Sequence, residues 1–459
     1  MRRIAGLLVV AALGVAAAAQ IAPGPADIPE FTGLVAPEPS AIARSSVWYC
    51  AWADSGDLRD SDYALASVPE VNALVSLPSP IPNEASRETS LSVAGPGASV
   101  VDIEEVVRLG AAPGFVEFDD GPAAVAATIT SDFSLAGDHC VRSVDKVWYL
   151  PGGTTREGRR LTLRLFNPFS ELAKATVSGL SEFGLAPLTD LSPVDIPGRS
   201  WRDLELEPSV PFLDDLVLVV STEQGSVIPA LSLVVEGGDE ATWPGDGLST
   251  TWEFPLVTAD GLVPSLVMSN PGAIPATVDI DVFSSTAATP SAVTVEVTSD
   301  VPTRIDLSDI GLGTFGIRVR STSPISAVVV SEDPPPQTIE GEEPEEPIVG
   351  TRVAATTGAR EQASRWLLPG AGSVPDARSA LWIMNSNPEA VTVTVVPLGS
   401  TALVGDKIQI EPGRVVRYEV PGDLSIGGYL VDASVPVTAA WSAEADRGVV
   451  FVGGIAIGE

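Results

Sequence analysis

Along most of the chain, apolar residues alternate with polar or small ones at period two. Leu161-Thr162-Leu163-Arg164-Leu165 is the cleanest run, and Val278, Ile280, Val282 and Val391, Val393, Val395 repeat it. Alternation at this period marks a strand with one face on a core. Leu161, Leu163 and Leu165 are therefore expected to point inward, with Thr162 and Arg164 outward. Helical periodicity is hard to find. The last part of the chain reads as strands over 379–384, 390–396, 407–410, 415–420, 428–432, 437–442 and 449–457. Seven strands in about a hundred residues, with turn residues between, predict an antiparallel two-sheet sandwich.

The pattern recurs. A tryptophan, an apolar strand, an Asn-Pro corner and an alternating strand follow one another at Trp366, Asn387-Pro388 and Val391; at Trp252, Asn270-Pro271 and Val278; and at Trp148, Asn167-Pro168 and Val177. The same spacing from Trp48 falls on Val68-Pro69, where the asparagine is lost. Proline cannot donate to a ladder and holds the preceding residue extended, while asparagine bonds its own backbone, so the phrase ends one strand and turns the chain into the next. A second landmark, a proline opening a small-apolar strand, falls at Pro122, Pro324 and Pro436, and more loosely at Pro229. Tryptophans about a hundred residues apart exceed solenoid or propeller repeats and leave room for a self-contained domain each. The expectation is all-β: four tandem antiparallel β-sandwich, immunoglobulin-like domains at 45–143, 144–248, 249–360 and 361–459, with the four indoles as core residues.

The N-terminus changes where such a protein would sit. Arg2 and Arg3 precede an apolar run from Ile4 to Ala19, and Ala17-x-Ala19 before Gln20 offers a small-residue cleavage site. Residues 1–22 have the form of a secretory signal, or of an uncleaved membrane anchor if the run is retained as a helix. Residues 23–44 carry five prolines and neither period, as in a stalk or lead. Residues 333–347 hold six acids, five prolines and no base. They cannot bury enough apolar surface to order themselves. By comparison with the last repeat they form a loop inside the third domain, ahead of a further strand over 349–356.

Charge narrows the partners. Sixty acids against 26 bases give a net charge of −34, which argues against nucleic acid or anionic lipid, both of which need basic surface. Membrane contact is expected only through the N-terminal segment. The two cysteines, Cys50 and Cys140, bracket the first domain. In an oxidising compartment they predict one disulfide, worth roughly 4–5 kcal/mol on the chain-entropy model.

Reactive constellations are scarce. His139 is the single histidine, so a Ser-His-Asp or Cys-His arrangement has to pass through it, and two-histidine metal sites are excluded. Beside Cys140 it reads as a turn residue. The sequence has no Gly-x-Ser-x-Gly elbow, phosphate loop, dinucleotide fingerprint or Cys-x-x-Cys. Asp54, Asp57, Asp60 and Asp62 form the densest carboxylate cluster, a weak calcium candidate without the EF-hand order of ligands. A solvated loop is its default reading, and no cofactor is expected. Trp382 is the weak binding candidate. In the register of 161–165 it points out, where an indole on a flat sheet could stack on a sugar or a neighbouring surface; one bulged residue before Asn387 would turn it into the core.

The Trp-Leu-Leu-Pro-Gly opening at 366–370, Trp-Tyr-Leu-Pro-Gly at 148–152, the Asn-Pro corners, the N-terminal segment and an arginine-rich composition with three lysines together resemble an actinobacterial family of exported proteins known only as a domain of unknown function. The resemblance covers residues 144–459 well and the first domain less well. It implies export and β architecture and brings no catalytic residues. The function expected is a non-enzymatic secreted or envelope-anchored scaffold, or a binding module for cell-wall polysaccharide or an envelope protein. The alternative is a secreted carboxylate-based hydrolase or its accessory module.

Overall fold

Where the sequence alternates, the chain is extended. Leu161, Leu163 and Leu165 in strand Arg159–Asn167 are wholly buried, as are Val391, Val393 and Val395 in strand Val391–Gly399. The computed structural model describes residues 46–459 other than 56–58, 80–83, 108–109, 189–190, 259–260, 311–312, 314, 335–350, 400–403, 422–425 and 459. The described residues are all-β in several sheets, and the one helix among them is Ile103–Val106, capped by the Asp102 carboxylate on the Glu104 N–H. The N-terminal segment and most of the acidic stretch lie outside the described residues. The strands flanking that stretch, Phe315–Glu332 and Val353–Thr357, pair with each other antiparallel, so it joins neighbours in one sheet.

One strand order runs through the molecule four times. In 45–143 one sheet is Ser46–Cys50, Gly114–Phe118, Val71–Leu77, Arg87–Val93, and the other is Leu135–His139, Ala123–Ser131, Arg59–Ser67, Gly97–Asp102. Leaving aside the two-residue ladder of Asp54–Ser55 with Gly110–Ala111, that is first, sixth, third, fourth and eighth, seventh, second, fifth in order along the chain. The same two orders hold in 144–248, where two short strands share the fourth place, and in the last two stretches. There the sixth and seventh strands are one long strand, Phe315–Glu332 or Ile426–Ala445, whose halves pair in different sheets. Pro324 and Pro436 fall where it passes from one sheet to the other, a position that needs no ladder donor.

The apolar faces of the two sheets meet. Trp252, Leu266, Val278, Ile280, Val319 and Val329 belong to one buried cluster, and each of Trp48, Trp148, Trp252 and Trp366 is buried in such a cluster. Two of the indoles have found acceptors: Trp252 Nε1 donates to Ile325 O at 3.0 Å and Trp366 Nε1 to Val437 O at 2.9 Å.

The corners work differently from the Asn-Pro reading. Asn167 Nδ2 donates to the carbonyls of Glu171, Ile196 and Pro197, and Asn270 Nδ2 to those of Ile274 and Val297, tying the end of the second strand to the end of the fourth. In the last stretch the residue in this place is Asn385, bonded to Glu389 O, Ile410 O and Glu411 O, and not Asn387. Asn387 donates instead to Asn385 Oδ1 and Pro436 O. A planar amide offering two N–H groups to carbonyls on separate strands defines the position, and a following proline does not. Ser67, one hydroxyl in the same place, reaches Pro122 O at 3.3 Å.

Sequence periodicity is silent on how the stretches pack, and Ser45–Glu459 forms one compact unit. The eighth strands, Leu135–His139, Glu240–Pro244, Val353–Thr357 and Gly448–Gly453, each pack on two of the others: first on second, second on third, third on fourth, fourth on first. They close a ring of four. Beyond each, the chain returns to its own opening strand, through Tyr49 with Val141, Tyr149 with Asp246, Glu253 with Ala359 and Trp366 with Ala456. In the first stretch this return is also covalent, since Cys50 and Cys140 form the expected disulfide.

Candidate functional site

Each stretch turns the outer face of its second strand toward the stretch before it. Arg164 is not solvent-facing as the alternation predicts. It is 3% exposed, its guanidinium lies 4.1 Å from the Trp52 ring centre, Nη1 donates to Ala53 O, and Asp203 takes Nε and Nη2 at 2.7 and 2.8 Å. Trp382 occupies the same place in the last stretch. It points away from its own core, as the register predicts, but it is 2% exposed, because Leu256, Leu262 and Ala354 of the third stretch cover it and Nε1 donates to Ser442 Oγ at 3.0 Å. The binding role on an open sheet face is therefore corrected: the indole is part of a junction.

The calcium group is rearranged as well. Asp54 pairs with Arg59 at 2.8 Å, and Asp57 lies outside the described residues. Asp60 and Asp62 share a face with Asp102, which stands opposite Asp62 on the next strand, their carboxylate oxygens within 4.8 Å of one another. Burial, then the Asp60 and Asp102 charges, push Asp62 up to about 6.

Two ends of the ring carry buried polar groups. At one end the Asp239 carboxylate accepts backbone N–H groups from three other stretches: Leu135 at 2.7 Å, Val449 at 2.9 Å and Val353 at 3.4 Å. Burial drives its pKa well above the usual value, opposed by these bonds and by the Arg352 charge. A side chain on Gly448 would place its Cβ 2.2 Å from Asp239 Oδ1, so glycine is needed there for space.

The other end opens into a cleft of about 440 Å³. Residues of three stretches line it: His139 from the first, Glu253 and Arg360 from the third, Trp366 and Thr438 from the fourth. Small residues form part of its walls, among them Gly358, Ala439, Ala440, Gly453 and Gly454, and Glu361 lies at the rim. Gly454 cannot be larger, because a Cβ would stand 2.4 Å from Ala439 O. The His139 ring lies deep among protein atoms yet keeps accessible surface. It has no hydrogen-bond partner among the described residues, and burial followed by the Arg360 charge lowers its pKa to about 4, so it is neutral at ordinary pH. Arg360 pairs with Asp246 of the second stretch at 3.2 Å. Glu253 is satisfied: Oε1 accepts from Gln362 Nε2 at 2.9 Å and Ser386 Oγ at 2.6 Å, and Oε2 accepts from the Thr438 hydroxyl. Sequence reasoning missed Asp239, Glu253 and Arg360. The available signal for the first was a pair of acids, Asp239-Glu240, opening an otherwise apolar strand.

These features define an all-β protein of repeated strand order, closed on itself through its last strands and holding a polar cleft where three stretches meet. The chain belongs to DUF5719, a family of unknown function whose model matches residues 109–339. No curated protein matches it. Among solved structures it is similar to Thermotoga maritima 1070, at 17% identity over 25% of this chain and 95% of that one, with a TM-score of 0.19. It is also similar to a tetra-tandem repeat from the extending region of a large adhesion protein, at 12% identity over 90% and 99% of the two chains, with a TM-score of 0.10. No helix among the described residues is long and apolar enough to cross a membrane.

Proposed function

We propose that the protein is a non-enzymatic scaffold or binding module carried outside the cell: four tandem immunoglobulin-like β-sandwiches, led by a signal peptide or anchor at residues 1–22 and a stalk at 23–44, that engage cell-wall polysaccharide or an envelope protein. An actinobacterial source belongs to the same reading and rests on composition. The observation that carries the proposal is the ring of eighth strands. Its buried polar groups, Asp239 above all, are spent on holding four stretches together, which suits a rigid support better than a mobile catalytic site.

The test uses the full chain, tagged and expressed in its native host. Accessibility to protease on intact cells and saturable co-sedimentation with purified cell walls or a captured envelope protein are expected. Protection of the tag inside the cell would overturn export, and a freely soluble exported chain that sediments with neither partner would overturn binding. The hydrolase alternative has one observation in its favour, the Asp60, Asp62 and Asp102 group with Asp62 held at about 6, in the style of a shared-proton acid. Release of reducing sugar ends from wall polysaccharide, lost in Asp62→Asn, would replace the scaffold reading with that one.

A further inference from the structure

We propose that the cleft at the His139 end of the ring is a binding site for a small organic carboxylate, held by the Arg360 guanidinium and the His139 imidazole. The inference goes beyond a scaffold role and does not depend on where the protein resides.

Its size is that of a small-molecule site, in the range of about 300–1,000 Å³. The chemistry follows from which groups remain to be satisfied. Arg360 has five N–H donors in a planar fork; among the described residues its single partner is Asp246, and with the side chain 41% exposed the other donors face solvent at the mouth of the cleft, where a ligand can displace water. His139 brings one further donor and one acceptor, both without a partner among the described residues. Glu253, the buried acid of the cleft, already receives Gln362, Ser386 and Thr438, which leaves one of its about four lone-pair sites open, and a second acid, Glu361, lines the exposed rim. The open donors of Arg360 and His139, set side by side, suit an anion with a flat pair of oxygens, which a guanidinium matches in a bidentate way. The remaining walls favour an organic body on that anion. Leu256 and Phe254 are apolar, and the glycines and alanines let a ligand approach the backbone. A chain of net charge −34 repels polyanions at long range, so the ligand is small and carries few charges.

A single histidine makes the test direct, because the imidazole of the full chain gives one set of NMR signals. Acetate, benzoate and D-glucuronate are titrated against D-glucose and benzyl alcohol as neutral counterparts. A saturable shift of the His139 signals with at least one carboxylate, and none with the neutral compounds, is the expected result. Arg360→Gln should weaken that binding by about tenfold or more, with Arg360→Lys retaining part of it. Ala456→Trp, at an exposed position on the rim, should block the cleft without touching either donor and covers the case in which Arg360→Gln fails to fold. No shift with any of the three carboxylates would overturn the site. Equal shifts with the neutral compounds would overturn the ligand class, and unchanged affinity in both folded Arg360→Gln and Ala456→Trp would overturn the assignment to this cleft.

Discussion

Three backbone N–H groups from three stretches end on one carboxylate, so the cost of replacing Asp239 is the cost of leaving buried donors unmet. Asp239→Asn keeps the shape but turns one oxygen into a donor facing donors. Loss of about 2–4 kcal/mol is expected, read as a lower midpoint in chemical denaturation with little change in slope. The buried titrating groups act in opposite directions on stability against pH. His139 has a folded value near 4, below its ordinary 6.5, so the unfolded chain takes up the proton first. Its contribution is complete above 6.5 and is lost as pH falls toward 4. Burial pushes Asp138 up to about 8 from 3.8, so the folded state keeps its proton longer. That contribution is complete at acidic pH and is lost as pH rises through 8. Asp138→Asn should therefore raise the melting temperature at neutral and mildly alkaline pH and leave it nearly unchanged in acid. An equal gain at both ends would contradict the burial of an ionisable carboxyl.

At the scale of the element, much was legible and the limits are specific. Strand Arg159–Asn167 lies where alternation put it, because burial on one face imposes period two. The outer face was read as solvent because periodicity distinguishes a strand's two sides but not what covers the second one. Arg164 and Trp382 both look polar-side or exposed in sequence and are both buried by a neighbouring stretch. The corner was legible as a turn, but its working residue was misplaced in the last repeat, since Asn-Pro is a local signal and the amide bonds of Asn385 reach Ile410 and Glu411 across the fold. Asn385→Ala should consequently cost about 2–3 kcal/mol, with three carbonyls left unmet, and Asn387→Ala about 1 kcal/mol or less, because Asn387 is part-exposed and its Pro436 contact can be replaced by water. Thermal denaturation of the two single variants checks the order. The cleft was not legible at all, since His139, Glu253 and Arg360 come from distant stretches and share no motif.

For the molecule as a whole, the ring of eighth strands makes the stretches depend on one another. Trp382→Ala removes the plug between the third and fourth, and a loss of about 3–5 kcal/mol is expected from the buried volume alone. Because the junction is shared, differential scanning calorimetry should show the transition of the entire unit moving to lower temperature. A displaced minor peak, with the remainder unmoved, would mean that the fourth stretch melts independently.

The disulfide acquires a meaning from this arrangement that it would lack in a string of beads. The return from eighth strand to opening strand is a seam, and of the four seams Cys50–Cys140 is stitched while the other three are held by backbone pairing. Under tension on the chain the Cys50–Cys140 seam cannot open without breaking a covalent bond, so the three paired seams are expected to open before it, and the first stretch keeps its two ends together even after the four have parted.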